Sequence, residues 1–118
     1  MAARFPFSDL HSFKDYVVFV RVAAPDRFRP RKGVGPDDQW TLDLAFEGLR
    51  LGLKMAAEEK GERTEFARGR VLVEEAYAAY RDGRMRDGVL YVGGVAEGAV
   101  AMIAFRGMSV LDINDRTT

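Results

Sequence analysis

Apolar residues recur along this chain at helical spacing, in segments several turns long. The clearest segment is 37–61. At about 100° per residue, Leu42, Ala45, Phe46, Leu49, Leu53 and Ala56 share one face, and Trp40, Leu44, Leu51 and Met55 line up roughly opposite. Asp43, Glu47, Arg50 and Lys54 form a narrow polar strip between them. A helix on the outside of a simple bundle needs one apolar stripe. Two stripes predict a central helix or a contact with another chain. Asp37 or Asp38 is the expected N-cap, and Lys60-Gly61 the expected stop.

Three further segments carry helical stripes. In the first, from Ser8 or Asp9 to Ala24, Leu10, Phe13, Val17, Val20 and Ala24 fall in one arc, and Pro25 limits the helix. The dense β-branched residues of 16–22 offer a competing strand there. On the helical reading, Val18 and Val22 lie on the solvent side among Lys14, Asp15 and Arg21. The third segment starts near Thr64 and ends before Gly83, with Phe66, Val73, Ala76, Tyr77 and Tyr80 as its stripe. The fourth, 89–105, places Val89, Val92, Ala96, Ala99, Val100 and Ile103 on one face, with Gly94, Gly98, Ala101 and Phe105 opposite.

The expected fold is an all-α, four-helix up-and-down bundle formed as one domain over residues 1–118. The alternative is an α+β fold with a C-terminal β-hairpin region at 88–113, because Gly93-Gly94 between apolar runs is also a hairpin signal. Residues 25–39, rich in Pro, Gly and charge, read as a loop inside the domain. The expected core includes Phe46, Leu49, Leu53, Val73 and Tyr77.

Composition narrows the chemistry. The 118 residues carry 18 Lys and Arg against 18 Asp and Glu, a formal net charge of zero, which does not predict a strongly basic nucleic-acid binder. The absence of cysteine excludes a disulfide framework and a thiol nucleophile. It fits a cytoplasmic protein, and no segment reads as a membrane span. His11 is the only histidine, and no carboxylate lies at Glu-x-x-His spacing, so neither a metal nor a cofactor is expected. A Ser-His-Asp set could be drawn from Ser8 or Ser12, His11 and Asp9 or Asp15. It has no nucleophile elbow, and helix capping explains the serines better. The chain is therefore read as a non-enzyme.

Surplus apolar surface is the strongest functional signal. Trp40, Leu44, Leu51 and Met55 on the second helix, and Gly94, Gly98 and Phe105 on the fourth, are the candidate partner interface. The expected function is a protein–protein interaction module whose partner is a second copy or another protein. One concrete version is a small bacterial immunity- or antitoxin-like protein that neutralises a cognate partner, an analogy of size and helicity. A rival reading uses the basic loops. Arg27, Arg29, Arg31 and Lys32 share one pole of an up-and-down bundle with Arg84 and Arg86, and could grip phosphate or another anion. A third reading is an enzyme or ligand carrier with an interhelical pocket around Tyr77, Tyr80 and Glu97, with Glu97 either at the edge or buried beside Arg50 or Arg106.

Overall fold

The computed structural model describes residues 5–106, with side chains through Met102. Four helices follow one another: α1 (Leu10–Ala23), α2 (Leu42–Lys60), α3 (Thr64–Arg81) and α4 (Met85–Arg106). The chain is an all-α bundle, and the described residues contain no strand. The apolar run at 16–22 belongs to α1, and Gly93-Gly94 lies inside α4. A hairpin over 88–106 is thereby excluded, and 107–113 lies outside the described residues. Each glycine in α4 costs up to about 1 kcal/mol in helix propensity. Burial of Val92, Val95, Ala99 and Met102 on one face offsets that cost.

Local chemistry sets the helix ends. Asp9, rather than Ser8, caps α1: its Oδ1 accepts from the Ser12 backbone N–H at 2.8 Å, and Ser12 Oγ accepts in return from the Asp9 N–H at 3.2 Å. This reciprocal pair is a capping box. The second helix begins later than the sequence pattern suggests. Thr41 is its cap, accepting from the Leu44 N–H at 3.1 Å, while 36–38 form a separate 3₁₀ turn. Asp37 and Asp38 therefore cap nothing in α2, and Trp40 stands outside it. At the other end Gly61 (φ 83°) stops α2, and Gly83 (φ 79°) turns α3 into α4.

Helices neighbouring in sequence are neighbours in space, α4 closes the ring against α1, and the diagonal pairs make no close approach. Contacts run in opposite senses along each pair. Phe13 lies against Gly52 and Tyr16 against Gly48; Leu53 lies against Gly69 and Phe46 against Tyr80; Leu72 lies against Gly94 and Tyr80 against Gly88. This is up-down-up-down topology. The core centres on Phe13, Val17, Val20, Phe46, Leu49, Phe66, Val73 and Val92, all fully buried. Tyr77 departs from its expected core place: it is half-buried at the rim.

The α1–α2 seam depends on a second Gly-x-x-x-Gly, at Gly48 and Gly52, which the sequence reading passed over. A Cβ at Gly52 would overlap the Phe13 ring, and one at Gly48 would overlap the Tyr16 phenol. Two small residues one turn apart let α2 accept two aromatic side chains of α1 against its backbone.

Candidate functional site

The connection between α1 and α2 is pinned rather than loose. Phe28 packs on Phe19 with ring centroids 5.7 Å apart, and Trp40 packs on Phe19 at 5.3 Å and on Tyr16 at 5.8 Å. The Gln39 side chain clamps Arg31 at two points: its Oε1 accepts from the Arg31 N–H at 2.7 Å, and its Nε2 donates to the Arg31 carbonyl at 3.0 Å. The Arg31 guanidinium lies 4.6 Å from the centre of the Trp40 ring and donates to the Asp38 carbonyl at 3.1 Å. These contacts turn a polar loop into a wall of the bundle, with an aromatic cluster behind it.

That arrangement corrects the expected interface on α2. Trp40 belongs to the aromatic cluster of its own chain, Leu44 is buried, and Met55 is half-buried against the core. Leu51 alone of the four stands exposed. The glycines of α4 are also spent internally. Gly94 receives the Leu72 side chain, and Gly98 lies beside the Glu65 backbone, so both face α3. The Phe105 side chain lies outside the described ones.

The basic pole is partly consumed as well. Topology does bring the α1–α2 connection and the α3–α4 turn to the same end of the bundle. Arg31, however, is committed to Trp40 and the loop backbone. Arg84 reaches Asp82 at 3.3 Å and Asp87 at 3.2 Å, and these carboxylates hold its pKa above the ordinary arginine value. Lys32 and Arg86 are exposed. Arg27 and Arg29 are the two cations of the set that line a cleft, with Val18, Phe19, Val22 and Ala23 of α1 as its floor.

The tyrosines do not build a pocket with Glu97. The Tyr77 hydroxyl donates to Asp43 Oδ1 at 2.5 Å, and Arg81 donates to that hydroxyl at 3.3 Å. The bond to Asp43 is the main reason the Tyr77 pKa is raised. One turn away Arg50 binds Glu74 through two bonds of 2.6 and 2.9 Å, holding the Glu74 carboxyl below its ordinary pKa. Arg50 is thus Glu74's partner, not Glu97's. This α2–α3 seam satisfies itself. The Tyr80 ring lies on Gly88, and its buried hydroxyl has no hydrogen-bond partner among the described residues. Tyr91 is half-buried against the core.

Glu97 is exposed on the opposite flank, in a groove between α1 and α4 lined also by Arg21, Gly93, Ala96, Val100 and Ala101. Leu90, Gly93, Glu97 and Ala101 recur at three- and four-residue steps, so they form one outward stripe. Leu90 is 64% exposed and Val100 51%. Arg21 arches over Gly93, its Nε 3.4 Å from where a Cβ would stand. Among the described residues neither Arg21 nor Glu97 has an ion-pair partner, and no group of three or more His, Cys, Asp or Glu could hold a metal ion. No described helix is long and apolar enough to cross a membrane.

No protein-family model, no curated protein and no solved structure matches the chain.

Proposed function

We propose that the chain is a non-enzymatic, helical protein–protein interaction module that pairs with a second copy of itself through the outer face of α4. One observation carries this reading: Leu90 and Val100 are exposed on the same face as a groove lined by Gly93, Ala96 and Ala101, and that groove holds one free cation and one free carboxylate among the described residues, Arg21 and Glu97. Small residues let a helix approach closely, and the exposed aliphatic side chains supply apolar area to bury. A two-fold interface is self-complementary, so an Arg21 set against its partner's Glu97 is matched by the reciprocal contact. Opposite charges in one groove suit that symmetry.

Sedimentation velocity across micromolar concentrations tests the pairing. The expected result is a dimer that Leu90→Glu with Val100→Glu converts to monomer at unchanged helicity. Glu97→Arg weakens pairing by like-charge contact, and adding Arg21→Glu restores it. A chain that stays monomeric up to on the order of 100 µM overturns the reading.

A further inference from the structure

We infer that the cleft over the C-terminal half of α1 is a docking site for an acidic amphipathic segment of a partner protein, one that presents a bulky apolar side chain beside a carboxylate. The cleft measures about 480 Å³, within the ~300–1,000 Å³ span of ligand pockets. Its floor is apolar: Val18, Phe19, Val22 and Ala23. Val22 is 72% exposed and Val18 45%, so the chain itself leaves this floor uncovered.

The rim is cationic for a structural reason. After α1 the Arg27 backbone N–H returns to the Ala23 carbonyl at 2.7 Å, folding the chain back on the last helical turn. Phe28 then packs inward on Phe19 and Trp40. Its two neighbours, Arg27 and Arg29, are left at the cleft edge, exposed and without an ion-pair or hydrogen-bonded side-chain partner among the described residues. Nearby Arg31 and Arg84 are occupied. The sequence places six cations at this end, Arg27, Arg29, Arg31, Lys32, Arg84 and Arg86; the fold spends some and aims two at an apolar floor.

That pairing of charge and apolar surface selects the ligand. A guanidinium fork matches a carboxylate with two parallel hydrogen bonds, and the floor takes an aliphatic or aromatic side chain. A polyphosphate backbone fits less well. It would gain nothing from the valines of the floor, which an apolar side chain beside a carboxylate covers. A fatty acyl chain would lie wet in a cleft this open. The site stands on observations separate from the α4 face, so it holds whether or not the chain pairs with itself.

Trp40 is the only tryptophan and touches Phe19 in the cleft floor, so its emission reports occupancy. The test titrates the full chain with a short fluorescein-labelled peptide alternating glutamate with leucine and phenylalanine. The expected result is saturable anisotropy with a matching change in Trp40 emission. Replacing the peptide's glutamates by glutamine weakens binding at least about tenfold. The Arg27→Glu, Arg29→Glu double variant loses binding by a similar factor at unchanged helicity, and it prefers the peptide with lysine in place of glutamate. Val22→Ser weakens binding without changing the charge preference. Absence of saturable binding, undiminished binding by the double variant, or stronger binding to anionic phosphatidylglycerol vesicles or to oligothymidylate overturns the proposal. Sedimentation of the same double variant reads pairing through α4 independently, because neither arginine lies on that face.

Discussion

The Tyr16 hydroxyl donates a 2.8 Å hydrogen bond to the Ala45 carbonyl, and the same phenol occupies the space left by Gly48 further along α2. Side-chain hydrogen bonding and small-residue packing therefore meet at one tyrosine in the α1–α2 seam. Tyr80 makes the opposite case: it is as deeply buried, yet its hydroxyl finds no partner among the described residues. Tyr16→Phe should lower unfolding free energy by about 0.5–1.5 kcal/mol, the net value of one buried hydrogen bond. Tyr80→Phe should leave stability unchanged or raise it by up to about 1 kcal/mol, because it removes an unsatisfied group. Urea denaturation with an unchanged slope measures both.

Alkaline pH should unfold the protein through these phenols. Burial pushes the Tyr16 pKa well above its ordinary 10.0, and burial raises Tyr80 as well. Below about pH 10 both are protonated in the folded and unfolded states, and their contribution is complete. Above it the unfolded chain releases protons that the folded chain retains, so the unfolded state binds fewer and stability falls as pH rises. The urea midpoint should hold steady up to about pH 9 and decline beyond about pH 10. Tyr16→Phe should make that decline shallower; an unchanged slope would show that Tyr16 titrates freely in the fold.

Two glycines should respond with opposite signs. Gly52→Val drives a branched side chain into the Phe13 ring and should cost about 1–3 kcal/mol or more. Gly93→Ala meets only the end of the flexible Arg21 side chain, at 3.4 Å. There the gain in helix propensity, up to about 1 kcal/mol, should prevail. Thermal melts of the two variants distinguish a structural glycine from a surface one.

Leucines should divide in the same way. Leu49→Ala opens a cavity at a fully buried position in α2 and should cost about 2–5 kcal/mol. Leu90→Ser lies on the exposed stripe and should change monomer stability by no more than about 0.5 kcal/mol. A large loss at Leu90, measured under conditions where the chain is monomeric, would mean that the α4 face is covered within the chain.

The helical stripes were legible without coordinates. The arc of Leu10, Phe13, Val17, Val20 and Ala24 is buried as its spacing requires, and so are Phe46, Leu49, Leu53 and Val73. Stop signals at Pro25, Gly61 and Gly83 fall where the helices end. The start of α2 was less legible, because Asp37, Asp38 and Thr41 are all competent caps. The choice fell to Thr41 once Trp40 was drawn out of the helix and into the aromatic cluster around Phe19. Gly48-x-x-x-Gly52 is visible in the sequence, but its meaning lies in which side chains press on it, Tyr16 and Phe13.

The surfaces divide along the same line. Periodicity is a local property: successive residues advance by a constant angle, so one sequence records which side of each helix is apolar and where it stops. It established four helices, their caps in outline and most of the core of α1, α2 and α3; on α4 the buried face is Val92, Val95, Ala99 and Met102, and Val100 of the expected stripe stands exposed. It could not record which neighbour covers a given face, because that depends on residues far apart in the chain. Packing covered Leu44, Trp40, Gly94 and Gly98, which the pattern had offered to a partner, and left Val18, Val22, Leu90 and Val100 uncovered. It tied Arg31 to Trp40 and Arg84 to Asp82 and Asp87, and left Arg27 and Arg29 over an apolar cleft. Whether an apolar face or a charge is available for binding is decided by what stands against it, and only the tertiary structure sets that.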